Sequence, residues 1–199
     1  MKRSLFVFLS LTFCTTLCFA KKLLVIGDSL TEGYGVAREN AYPAQLEKKI
    51  KAEKKDWTVI NAGVSGSTSA SAVSRLKWQL KSKPDLIILA LGSNDGLRGL
   101  TTDELEKNLS VAVELAQKEK IPVVLAGMQM PPNYSKDYTD KFKNVFPRIA
   151  KKYGLKLIAF LLQDVAGKPE LNQPDGIHPN EKGHILIANH LYDELKGLL

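Results

Sequence analysis

Five short stretches dominated by aliphatic residues, at 23–26, 57–61, 86–91, 123–127 and 155–160, punctuate an otherwise mixed chain. Such runs, lacking strict polar alternation, predict strands buried on both faces, as in a parallel sheet. The segments between them read as helices over 42–55, 69–81, 102–119, 138–153 and 181–196. In the first of these, apolar residues follow one side of a 3.6-residue period, with lysine and glutamate on the other. Thr102-Asp103-Glu104 supplies a cap and first-turn acids for the third, Gly154 closes the fourth, and Pro147 predicts a kink or break near Phe146. Strands alternating with helices predict an α/β fold: a three-layer, doubly wound, five-stranded parallel sheet of flavodoxin-like order 2-1-3-4-5. No repeat, low-complexity tract or linker interrupts the pattern, so a single domain over residues 21–199 is expected.

The first twenty residues stand apart. Lys2 and Arg3 precede an almost unbroken apolar run from Leu5 to Phe19, and Cys18 and Ala20 place small residues three and one positions before a cut. The expectation is a secretory signal peptide over residues 1–20, because a membrane span needs about 20 apolar residues and this run falls short. A lipidated cysteine should follow a small residue, and Phe13 and Leu17 are bulky. Both cysteines, Cys14 and Cys18, fall in that leader, so the remainder has no thiol for a disulfide, a nucleophile or a metal site. The expected location is the periplasm or the exterior, with no stable membrane insertion after cleavage. The formal net charge of +7 is dispersed apart from Lys48-Lys49, Lys54-Lys55 and Lys151-Lys152, which read as solvated helix faces rather than a nucleic-acid footprint. A monomer acting on small molecules is the expectation.

Candidate chemistry gathers at the strand ends. Residues 23–26 stop at Gly27-Asp28-Ser29-Leu30, residues 57–61 lead into the small-residue loop 62–68, and residues 86–91 stop at Gly92-Ser93-Asn94-Asp95-Gly96. The carboxyl ends of parallel strands share one edge, where ligands bind, so Ser29, Gly66, Asn94, Asp175 and His178 can converge there. Asp28 or Ser29 equally suits a helix N-cap, and Gly66 and Asn94 taken singly are ordinary turn formers. Together they make a hydrolytic set. Ser29 needs a base to take its proton, and His178 needs an acid to hold its tautomer. Asp175, three residues earlier, reaches His178 in a turn or helix. The backbone N–H groups of Ser29 and Gly66 and the Asn94 side-chain amide are suited to stabilise an oxyanion. Two unusually apolar loops flank this edge. From them Leu97, Leu100, Met128, Met130, Pro131 and Tyr134 are candidates for lining an acyl groove.

Gly27-Asp28-Ser29-Leu30, the Gly66 loop, Gly92-Ser93-Asn94-Asp95 and Asp175-Gly176-Ile177-His178 resemble, in order, the four sequence blocks of the SGNH, or GDSL, hydrolases. Asn94-Asp95-Gly96-Leu97-Arg98-Gly99, Pro132-Asn133-Tyr134 and the Pro179-Asn180 extension are similar to the branch of bacterial periplasmic thioesterases, lysophospholipases and arylesterases. The resemblance implies a Ser29–His178–Asp175 triad, an oxyanion hole from Ser29, Gly66 and Asn94, and hydrolysis of esters or thioesters without metal or cofactor. Two rival readings use the same crevice. A metal-dependent phosphoesterase would draw on Asp28 and Asp95, but only His178 is on hand as a further ligand. A non-catalytic secreted binding module would have no use for nucleophile, base and acid together. The α/β-hydrolase signature G-x-S-x-G, a dinucleotide loop and a P-loop are all absent.

Overall fold

A computed structural model describes residues 20–199; the expected leader lies, but for Ala20, outside them. Five parallel strands form one sheet: β1 (Lys21–Gly27), β2 (Trp57–Gly63), β3 (Leu86–Ala90), β4 (Val123–Ala126) and β5 (Lys156–Ile158), in the order β2-β1-β3-β4-β5. Residues Leu23 to Ile26 of β1 are fully buried, as their unbroken aliphatic character demands. Register brings Gly27 opposite both Gly63 and Ala90, so three strands end together and define one edge. The last predicted strand is shorter than its apolar run. β5 stops at Ile158, whose carbonyl accepts from Gly127, and the chain then turns so that Leu161 donates to the Gly127 carbonyl.

Among the described residues seven α-helices connect and cover the sheet: α1 (Ser29–Glu32), α2 (Tyr42–Ala52), α3 (Ala72–Gln79), α4 (Ser93–Leu97), α5 (Thr102–Lys118), α6 (Lys136–Tyr153) and α7 (Glu181–Leu195). α2 and α7 pack together on one face and α3, α5 and α6 on the other, the arrangement that right-handed crossovers dictate for α2, α3, α5 and α6 in this strand order. α6 is not broken at Pro147. Proline deprives the Lys143 carbonyl of its helical partner, but Pro147 and Lys143 both lie on the exposed side, where water can serve instead. α2 ends at Ala52, earlier than its sequence pattern, because Lys54 takes a left-handed φ of 57°.

His184 of α7 is a buried link to the start of α2. Its Nδ1 accepts the Tyr42 N–H at 3.2 Å, so the imidazole must be neutral at that atom. Burial, aided by the charge of His178, pushes the His184 pKa down to about 4 from 6.5. The unfolded chain therefore binds a proton that the fold refuses, and this contribution to stability is complete above about pH 6.5 and lost as pH falls through about 4. Urea unfolding should show a loss on the order of 3 kcal/mol over that interval from this group. His184→Asn, which keeps an acceptor but does not titrate there, should remove that part of the slope; an unchanged slope would contradict the assignment.

Candidate functional site

The edge where β1, β2 and β3 end is built by two very short helices. At the end of β1 the chain must turn at once into α1, and a Cβ on Gly27 would lie 1.8 Å from Thr31 Oγ1. Asp28 caps α1, its Oδ1 accepting the Leu30 N–H at 3.0 Å. Burial pushes its carboxyl above the usual carboxylate range, tempered by the Leu30 N–H and the Ser93 side chain. Ser29 becomes the first residue of α1, with its backbone N–H at the positive end of that turn.

Asp175 and His178 come from the loop before α7. An antiparallel bridge between Asn172 and Pro179 closes that loop, and the Gln173 N–H donates to the His178 carbonyl at 2.7 Å. Asp175 Oδ1 accepts the N–H groups of Ile177 and His178, both at 3.0 Å, while Oδ2 lies 2.7 Å from His178 Nδ1. Partial burial works against the Asp175 charge but is outweighed by the His178 N–H, its imidazole and the Ile177 N–H, which hold the carboxyl below its ordinary range. With Nδ1 donating to that carboxylate, Nε2 is left as an acceptor, 2.9 Å from Ser29 Oγ. The Tyr34 ring packs over the imidazole at 4.7 Å, a neighbour that no feature of the sequence announced.

Gly66 is held between α1 and α4. On one side Glu32 Oε2 accepts from the Ser65 N–H at 2.7 Å and from its hydroxyl. On the other, Asn94 Nδ2 donates to the Ser67 carbonyl at 3.0 Å, and Arg98 donates to the Gly66 carbonyl at 2.9 Å. Gly66 itself has φ 75°, a left-handed value that its missing side chain permits. The anchored Asn94 amide keeps one N–H for another acceptor.

An apolar cleft of about 390 Å³ opens beside Ser29 and His178. Leu97, Met128, Met130 and Pro131 line it, but two other candidates from the flanking loops do not: Leu100 and Tyr134. Tyr134 points its hydroxyl at the Leu97 carbonyl, and the Leu100 carbonyl accepts from Tyr138, so both belong to the outer side of the α4 turn. The opposite wall was missed from sequence. Phe160, Leu162, Ala166, Gly167 and Ile177 supply it, all from the one segment that runs from β5 to His178. The apolar Phe160-Leu161-Leu162 run is the available signal; its first residue falls in the predicted strand 155–160 and the other two in the segment that follows.

Asp28 and Asp95, the acids a metal site would draw on, both accept hydrogen bonds from the protein's own groups, and among the described residues no three His, Cys, Asp or Glu side chains gather to hold a metal ion.

Three comparisons place the molecule. An arylesterase of Vibrio mimicus is 37% identical over 177 residues, 88% of each chain. The thioesterase 1/protease 1/lysophospholipase L1 of Escherichia coli K12 is 34% identical over 181 residues, 90% of this chain and 86% of that one. The crystal structure of TesA superposes with a TM-score of 0.87 at 37% identity, covering 90% of this chain and all of that one. Residues 25–186 match the GDSL-like Lipase/Acylhydrolase family, and with the order of its sequence blocks and the geometry at its strand ends, the chain belongs to that family.

Proposed function

We propose that this protein is a serine hydrolase that cleaves carboxylic esters, and thioesters of the same acyl groups, through an acyl-enzyme on Ser29. The observation that carries the reading is the unbroken hydrogen-bonded series Ser29 Oγ–His178–Asp175 at the mouth of an apolar cleft. Ser29 Oγ attacks the acyl carbonyl carbon as its proton passes to His178 Nε2. The negative oxygen of the tetrahedral intermediate is received by the N–H groups of Ser29 and Gly66 and by the free N–H of Asn94. As the carbonyl reforms, the bond to the leaving group breaks and the imidazolium protonates the departing alcohol or thiol. Water then attacks the acyl-enzyme, gives its proton to His178, and the carboxylic acid leaves as Ser29 recovers its proton. Asp175 stays ionised throughout, orienting the ring and stabilising its charged form. The names of the relatives, an arylesterase and a thioesterase/lysophospholipase, agree with acyl transfer to water.

The acyl group belongs in the cleft. Burial against the apolar lining, Leu97, Met128 and Met130 on one side and Ile177 on the other, contributes up to about 0.8 kcal/mol, roughly fourfold in kcat/KM, for each methylene. A series of p-nitrophenyl esters from acetate upward tests both the activity and the groove: kcat/KM should climb with acyl length and then level off. Leu97→Ser and Ile177→Ser should flatten the climb and leave acetate turnover nearly intact, whereas Leu100→Ser, outside the cleft, should leave the whole series unchanged. Equal loss on all chain lengths would place the acyl chain elsewhere, and no turnover of any ester would refute the function.

The site of action we propose is beyond the inner membrane, after removal of residues 1–20. The charged start, apolar run and small residues before the cut support this, and no helix among the described residues is long and apolar enough to cross a membrane.

A further inference from the structure

Asp95 is a buried carboxylate, 2% exposed, beside the proposed oxyanion donor Asn94 but turned away from the reaction. Its partner is Ser69, 26 residues earlier on the far side of the Gly66 loop. Oδ2 accepts the Ser69 N–H at 2.8 Å and Oδ1 the Ser69 hydroxyl at 2.5 Å, while Asn108 of α5 donates to the same hydroxyl at 3.0 Å. With the bonds from Asn94 to Ser67 and from Arg98 to Gly66, α4 and its C-terminal cap grip three positions between Gly66 and Ser69. The Asp95–Ser69 pair is the buried end of that grip, two bonds to one carboxylate out of reach of solvent, whereas the Asn94 and Arg98 bonds lie nearer the surface.

We infer that Asp95 is a positioning residue for the oxyanion hole: by clamping Ser69 it sets the Gly66 N–H and the Asn94 amide at one fixed separation, so that both meet the same oxygen. The inference rests on the proposed esterase reading and adds to it a residue that touches no substrate. Without the clamp, the Gly66 loop and α4 are joined only by bonds that lie nearer the surface and share their donors with solvent. The two donors can then no longer be preorganised together, and preorganisation is what makes such donors effective. The ground state does not depend on it, because the carbonyl oxygen of a bound ester carries little charge.

The test is a double-mutant cycle between Asp95→Asn and Asn94→Ala, read on a p-nitrophenyl ester the wild type turns over. Asp95→Asn keeps the side-chain size and one acceptor but loses the charge and the second acceptor oxygen, so the Ser69 N–H and hydroxyl can no longer both donate to it. It should lower kcat by roughly tenfold or more with KM within about twofold, since a lost oxyanion donor costs roughly 10²–10³ and a displaced one less. Its binding of a trifluoromethyl ketone, which forms a tetrahedral oxyanion on Ser29, should weaken in proportion to kcat/KM. In the Asn94→Ala background the same substitution should cost less than about threefold, because one of the two donors it aligns is already gone. Asn108→Ala removes only the outer tie to the Ser69 hydroxyl; it should show a smaller loss with the same non-additivity, and it serves as the readout where Asp95→Asn does not fold. Equal losses in both backgrounds, or a raised KM at constant kcat, would overturn the inference while leaving the esterase reading intact. Absence of turnover in the wild type would sink both.

Discussion

Ser29→Ala should leave a folded protein whose ester hydrolysis falls to background, a loss of about 10⁶-fold in kcat if Ser29 acts in concert with His178 and Asp175. The hydroxyl makes one contact, to His178 Nε2, and lies at the mouth of the cleft, so its removal opens no core cavity and leaves the imidazole reachable by water. Stability should therefore change little while the first bond-making step has no nucleophile. Mass spectrometry after treatment with a p-nitrophenyl phosphonate checks the same atom from the other direction. Wild type should carry the label on the peptide containing Ser29, and the variant should carry none. A label on Ser65 or Ser67, whose loop stands beside the site, would move the nucleophile and overturn the mechanism.

The second large effect is expected of Asn94→Ala, at about 3–4 kcal/mol of transition-state stabilisation, or 10²–10³ in kcat, with KM little altered. Asn94 also holds the Ser67 carbonyl, so a purely structural explanation has to be weighed. An ordinary hydrogen bond of that kind contributes about 0.5–1.5 kcal/mol to stability, which is too small to produce the expected loss in kcat by loosening the loop alone. Measured together, a drop of a few degrees in Tm with a hundredfold or greater drop in kcat identifies the amide as an oxyanion donor. A raised KM at unchanged kcat would make it a substrate-binding group instead.

The aliphatic runs determined more of this protein than any motif did. Residues 23–26 and 86–91 had to be central strands, because nothing but burial on both faces accommodates that many consecutive aliphatic side chains, and the right-handed crossover then leaves few strand orders to choose from. Ser29, Gly66, Asn94 and Asp175/His178 were legible for the same reason. Each follows a strand or precedes the last helix, and a parallel sheet brings such positions to one edge whatever their separation along the chain.

Tertiary structure alone decided what those positions touch. α1 and α4 span 4 and 5 residues, too few to show a helical period, yet they set the backbone N–H of Ser29 and the amide of Asn94. Leu97 and Leu100 read alike in sequence, and only the turn of α4 sends one to the cleft and the other to the outer surface. Pro147 is harmless because the carbonyl it orphans faces water, a fact about which side of α6 the core occupies. The bond from Asp95 to Ser69 joins α4 to the turn that follows the Gly66 loop, two segments that only the assembled sheet brings side by side. Periodic burial is written locally because each residue's hydrophobicity acts on its own. Hydrogen-bond partners and the direction of a loop side chain depend on pairs of distant segments, and they exist only once the chain has folded.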